Sequence, residues 1–224
     1  VSSEPQKTGP AAVDRKELAK TPPEASGAWP RTDRRVARLQ SALRHRQPDA
    51  TVVLEDVHDM YNVSAVLRSC DAVGIPGIHQ LYTVEEPPRE RFARRVAAGT
   101  AKWVTATRWD SVESCYANLR SQGMTILATA FSDTAVSVYD VDLTKPVALV
   151  FGNEMRGLTE SAIALADDEI FIPMVGMVQS LNISVSCAVS LYELMRQRRL
   201  AGCYDAPALS DEAMSAMLDE WLKK

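Results

Sequence analysis

The chain has no C-x-x-C pair, only three histidines, and no apolar run long enough to cross a bilayer. Its four cysteines, Cys70, Cys115, Cys187 and Cys203, lie far apart. Zinc sites need closer ligand spacing and a disulfide framework needs a smaller, denser chain, so reduced thiols and no metal are expected. The ten glycines never fall as G-x-G, which removes the usual dinucleotide fingerprint. G-x-S-x-G, H-E-x-x-H and EF-hand loops are missing too. A spanning helix takes ~18 apolar residues, and the most apolar stretch, 174–195, is broken by Gln179, Asn182 and Glu193. The first twenty residues lack the apolar centre of a signal peptide. No membrane partner and a cytoplasmic location are therefore expected. A basic excess is also lacking: 25 Lys and Arg stand against 29 Asp and Glu, a net charge of −4. That excludes a strong global field toward nucleic acid.

What is present is a globular composition, 46% hydrophobic and 24% charged over 224 residues. Residues 1–30 hold five prolines among small and charged residues and read as a flexible arm. A helix is expected over 33–46, with Val36, Leu39 and Leu43 beneath arginines. Strand-like runs at 51–55, 77–83, 103–107, 124–130, 147–151 and 169–173 alternate with helical patterns at 62–73, 89–98, 111–122, 159–166 and 181–199. In the last helix the apolar stripe reads Leu181, Val185, Ala188, Tyr192, Met195. The tail, 205–224, carries a short amphipathic helix. Alternation of this kind predicts an α/β fold with a mostly parallel sheet flanked by helices, whose ligands sit beyond the carboxyl ends of the strands.

Charge is unevenly placed. Residues 31–46 carry Arg31, Arg34, Arg35, Arg38, Arg44 and Arg46 against only Asp33, and a second run holds Arg89, Arg91, Arg94 and Arg95. Arginine offers phosphate a planar, bidentate fork. Either cluster alone is also what a solvated helix face looks like; two together point to RNA or a nucleotide.

Three segments keep polar residues where such folds build sites: Asn62 with Arg68, the loop 152–158 (GNEMRGL), and 173–184 (PMVGMVQSLNIS). Singly, Asn62 and Ser180 read first as ordinary helix N-caps. The frame Gly152 to Gly157 approaches a phosphate loop, but Leu158 stands where the lysine belongs, which disfavours a nucleotide hydrolase.

Together these segments resemble the three motifs of the SPOUT superfamily of RNA methyltransferases, TrmH type: LEDVHDMYNVSAVLRSCDAVGI (54–75), ALVFGNEMRGLTESAIALAD (148–167) and IFIPMVGMVQSLNISVSCAVSLYELMRQR (170–198). Gly99-Thr-Ala-Lys102-Trp103 adds to the likeness, which spans 33–204. The resemblance implies a SPOUT domain over 31–204 whose C-terminal segment forms a deep trefoil knot. It further implies a homodimer with sites at the subunit interface, and S-adenosylmethionine (SAM) as cofactor. The implied activity is methylation of a ribose 2′-hydroxyl in RNA, with guanosine 18 of the tRNA D-loop as the expected target. Ribosomal RNA or an anticodon-loop ribose is the alternative, and a non-catalytic RNA-binding module the rival class. Carried over by position, Asn62, Arg68, Glu154, Ser180 and Asn182 form the catalytic set. Thr129, Ala130, Phe131, Gly152, Ile172 and Leu181 would contact SAM. Arg31, Arg34, Arg35, Arg38 and Arg44 would bind RNA, whereas the acidic 205–224 tail departs from basic extensions seen among relatives.

Overall fold

A computed structural model describes residues 31–87 and 102–224. The arm 1–30 and the helical pattern 89–98 with its four arginines lie outside the described residues. By its packing the chain divides into two units, Val1–Arg38 and Leu39–Lys224. Of the first unit, the described part is the opening of helix α1 (Arg31–Arg44); the remainder of α1 and everything after it belong to the second.

The second unit follows the alternation read from the sequence. In chain order come β1 (Ala50–Glu55), α2 (Met60–Val73), β2 (Gly77–Leu81), β3 (Thr105–Trp109), α3 (Val112–Ser121), β4 (Thr125–Thr129) and β5 (Val136–Ser137). Then follow β6 (Val147–Phe151), α4 (Glu160–Ala164), β7 (Asp168–Phe171), α5 (Ile183–Leu200) and α6 (Asp211–Leu222). The seven strands form one sheet in the order β3-β2-β1-β6-β4-β7-β5, and every pairing is parallel. Central strands of such a sheet are covered on both faces and read as continuous apolar runs. Accordingly β1 (ATVVLE) and β6 (VALVF) are buried at every position. Their alternate residues serve two cores. Val52, Leu54, Val147, Leu149 and Phe151 pack with α2 and α5, whereas Val53, Ala148 and Val150 pack with α3 and Ala162. The expected α/β fold is thus observed as a three-layer sandwich.

Four local readings need correction. The strand expected at 103–107 lies at 105–109, because Val104 enters the core and Trp103 stacks on Trp221 instead of pairing. As an edge strand, β3 needs no apolar pattern, so periodicity misplaced it. β5, two residues long, is too short to show a period. Helix α1 ends at Arg44, and Arg46 is no surface cation: it is buried, paired with Asp71 at 2.6 Å, and lies over the Trp221 ring. In α5 the buried stripe is Ile183, Cys187, Leu191 and Leu194, while Val185 and Tyr192 are exposed. The helix has two apolar faces, and the sequence reading picked the outer one.

The helix ends are chemically marked. Asp59, Ser111, Thr159, Asn182 and Ser210 each cap a helix by accepting from a backbone N–H two or three residues on. The cap of α2 is therefore Asp59, not Asn62, and that of α5 is Asn182, not Ser180. Cys70, Cys115 and Cys187 are buried free thiols, and burial pushes the Cys115 thiol up to about 12, which leaves it unreactive.

His79 gives the fold an acid sensitivity. Its Nδ1 accepts from the Trp109 indole at 2.8 Å, and burial lowers its pKa below the ordinary 6.5. The folded state therefore binds fewer protons than the unfolded chain once the pH falls below 6.5, and stability is lost in that direction. His79→Gln keeps an acceptor for the indole but cannot titrate. Urea midpoints should fall from pH 7.5 to pH 5.5 in the native sequence and fall less in His79→Gln; equal falls would place the sensitivity elsewhere.

Candidate active site

The loops after β4, β6 and β7 leave the same edge of the sheet and enclose a cavity of about 570 Å³, within the ~300–1,000 Å³ range of small-molecule sites. Thr129, Ala130, Phe131, Gly152, Ile172 and Leu181 all stand in its wall, with Glu154 and Ser180. Thr129 closes β4, and Gly152 and Ile172 directly follow β6 and β7, the place where open parallel sheets bind their ligands. Thr129 is fixed by donating its hydroxyl to the Val150 carbonyl at 2.8 Å, and Phe131 leans on Phe171 with ring centres 5.6 Å apart.

Gly152 has a steric reason to be glycine. A Cβ there would lie 2.2 Å from the Gly157 carbonyl carbon and 2.3 Å from the Leu158 nitrogen. The following loop closes on itself: Asn153 N–H donates to the Gly157 carbonyl at 3.0 Å, and Gly157 N–H returns the bond at 2.8 Å. Gly157 completes the turn at φ +71°, a left-handed value that favours glycine.

A directional chain of side chains runs beside the cavity. Asn182 Oδ1 accepts from Ser184 N–H at 2.9 Å, so its amide nitrogen is free to donate, and it does so to Asn62 Oδ1 at 3.2 Å. Asn62 Nδ2 then donates to Glu154 Oε1 at 2.6 Å. Each amide is thereby fixed in one orientation, from the positive end of α5 to a carboxylate. The three residues come from α2, the β6 loop and the start of α5, and sequence separation hid their contact.

Two expected members are placed differently. Ser180 lines the cavity without joining the chain. Arg68 lies on the exposed face of α2 and, among the described residues, has no hydrogen-bond or ion-pair partner. Glu154 holds Asn62 at the mouth of α2 and makes no hydrogen bond or ion pair with Arg68. Sequence reasoning passed over Glu55 and Asp56. Both are buried at the end of β1, where Glu55 accepts from Thr159 N–H at 2.8 Å and from its hydroxyl at 2.7 Å. Consecutive acidic residues closing a strand otherwise apolar were the available signal. Among the described residues, no cluster of three or more His, Cys, Asp or Glu is placed to hold a metal ion.

An all-parallel α/β sheet with a cavity at its carboxyl edge, beside an amide–carboxylate chain built from these three motifs, defines a SPOUT-class methyltransferase. The model of the SpoU rRNA Methylase family matches residues 49–192. The tRNA (guanosine(18)-2′-O)-methyltransferase of Thermus thermophilus is 44% identical over 194 residues, 87% of this chain and 98% of that protein. The crystal structure of the A. aeolicus TrmH/SpoU tRNA modifying enzyme superposes with a TM-score of 0.77 at 36% identity, covering 85% of this chain and 96% of that one. The SpoU methyltransferase AviRb from Streptomyces viridochromogenes, solved with AdoMet, has a TM-score of 0.59 at 27% identity, covering 71% and 62%. The chain belongs to the SpoU family, and it is an RNA 2′-O-methyltransferase with SAM as cofactor.

Proposed function

We propose that the chain methylates the 2′-hydroxyl of a guanosine in the tRNA D-loop, at position 18. The observation that carries this reading is the junction of cavity and amide chain at Glu154, which lines the one and terminates the other. The near full-length likeness to the T. thermophilus enzyme supports the choice of RNA. SAM supplies a methyl group already activated by its sulfonium. The cavity residues named above would hold it, Gly152 letting the 153–157 loop close against the end of β6. What remains for the protein is to orient a weakly acidic hydroxyl and to stabilise the charge that develops on it.

Asn62 and Asn182 orient, Glu154 fixes Asn62, and Ser180 offers a hydrogen bond to the substrate. Arginine holds its proton too firmly to serve readily as a base. Arg68 is therefore a clamp for the phosphate next to the reacting ribose. Its lone position on an exposed face supports a site shared between two copies of the chain. The outer apolar residues Tyr61, Val185 and Tyr192, on or beside the same helices, support a homodimer covering that face. The C-terminal segment forms a trefoil knot on this reading, supported by β6 and β7 flanking β4 with all three loops at one cavity. Work on tRNA in the cytoplasm completes it.

The test is transfer of tritium from labelled SAM to unmodified tRNA and, separately, to ribosomal RNA, followed by nuclease mapping. Label in D-loop 2′-O-methylguanosine is expected. Label in ribosomal RNA would move the substrate, and none in either with SAM still bound would leave an RNA-binding module. The exposed Arg34, Arg35 and Arg38 on α1 should carry the electrostatics of tRNA binding. Replacing all three by alanine should lower the slope of log K against log salt by roughly two to three. An unchanged slope would return them to a solvated face.

A further inference from the structure

Three loops, after β1, β2 and β6, meet at Asp56, which is buried and holds a positive φ of 51°. Side-chain-bearing residues enter that region at a cost, so contacts must hold it there. Its carboxylate accepts from the backbone N–H of Thr83 at 3.1 Å and of Val84 and Glu85 at 3.4 Å. Its own carbonyl accepts from the side-chain amide of Asn153 at 2.9 Å. Asn153 Oδ1 in turn accepts from the N–H groups of Met155 at 2.9 Å and Arg156 at 3.3 Å. With that oxygen occupied by two donors, the amide nitrogen has to face Asp56, so its orientation is determined.

Glu154 sits between the two residues this arrangement fixes. It is exposed, and Asn62 is its hydrogen-bond partner. Its own surroundings give it little direction; the pinned loop supplies it.

We propose that Asp56 and Asn153 are positioning residues for methyl transfer, the Asp56 carbonyl anchoring the Asn153 amide so that Glu154 is aimed at Asn62. The proposal rests on the role given to Glu154 above. Misplacing a group in a reacting constellation by ~1 Å costs up to ~10²-fold in rate.

Asn153→Asp retains the acceptor for Met155 and Arg156 and loses the donor to Asp56. Asn153→Ser, whose hydroxyl also accepts locally but is shorter, is the second variant in case the first folds poorly. Turnover should fall by ~10- to 100-fold, with the melting temperature and the calorimetric affinity for S-adenosylhomocysteine little changed. The decisive measurement is the double-mutant cycle with Glu154→Ala. If Asn153 acts through Glu154, then Asn153→Asp adds no further loss in the Glu154→Ala background, whereas a general structural role would multiply the two losses. Multiplying losses, or native turnover in both Asn153 variants, overturns the proposal. Native turnover in Glu154→Ala alone would overturn the reading of Glu154, and the proposal with it.

Discussion

Gly152→Ala should remove SAM binding and turnover together. The added methyl would sit 2.2–2.4 Å from three backbone atoms of Gly157 and Leu158, and backbone cannot swing aside as a side-chain tip can. Either the end of β6 or the closed 153–157 loop must shift by more than an ångström. β6 is held on both sides, by β1 and by β4, so the loop is what opens. The cavity wall opens with it, and Glu154 is carried away from Asn62. Overpacking of this kind costs ~1–3 kcal/mol of stability, and the affinity for SAM should fall by ~10²-fold or more, since a displaced wall spoils contacts all along one side. Calorimetry with SAM and a thermal melt measure the two effects separately. Gly157→Ala is the control: its methyl meets nothing within 4 Å, but its φ of +71° imposes a strain of ~1–2 kcal/mol. It should lose stability while keeping most of its affinity. Equal loss of affinity in both variants would mean that loop conformation, not close approach at Gly152, governs binding.

The contrast between these glycines shows which parts of the molecule the sequence displayed. Strands β1 and β6 were legible because burial on both faces leaves uninterrupted apolar runs, and α2 because Val63, Val66, Leu67, Cys70 and Val73 all lie on its buried side. Periodicity reports burial, so it failed where burial was partial or doubled. It slid β3 by two residues at the sheet edge, missed β5, and chose the exposed face of α5. The site was legible as three polar segments after three strands, and the family resemblance assigned them roles. Neither could show that Asn62 and Asn182, 120 residues apart, share a hydrogen bond, since contact order is not written locally. Nor did either show that Glu154 pairs with Asn62 and not with Arg68, because a resemblance transfers residue identities and not their contacts. Asp56 was hidden for a different reason: its carbonyl, not its side chain, makes the bond to Asn153 that matters most.

Asn182→Asp should separate the two tasks of that residue. Its Oδ1 caps α5 by accepting from Ser184 N–H, and its amide nitrogen donates to Asn62. Aspartate caps a helix as well as asparagine does, so the melting temperature should stay close to that of the native chain. The donor, however, is gone. A carboxylate now faces Asn62 Oδ1, and if the Asn62 amide turns to satisfy it, the same oxygen is presented to Glu154. One junction of the chain is repulsive either way, Asn62 loses its fixed orientation, and turnover should fall by ~10²-fold. Asn182→Ala loses both tasks, and the missing cap should cost a further ~1 kcal/mol of stability. The direction of the chain can be tested by reversing it. When Asn182→Asp is combined with Glu154→Gln, Asn62 donates to the carboxylate introduced at the start of α5. It then accepts from the amide introduced in the β6 loop, so every junction is again complementary. Turnover of the double variant should be no lower than that of Glu154→Gln alone, although Asn182→Asp is damaging by itself. If the two losses multiply instead, Asn182 acts on the substrate independently of Asn62. If Asn182→Asp turns over like the native enzyme, the residue is a helix cap and the chain has no part in catalysis.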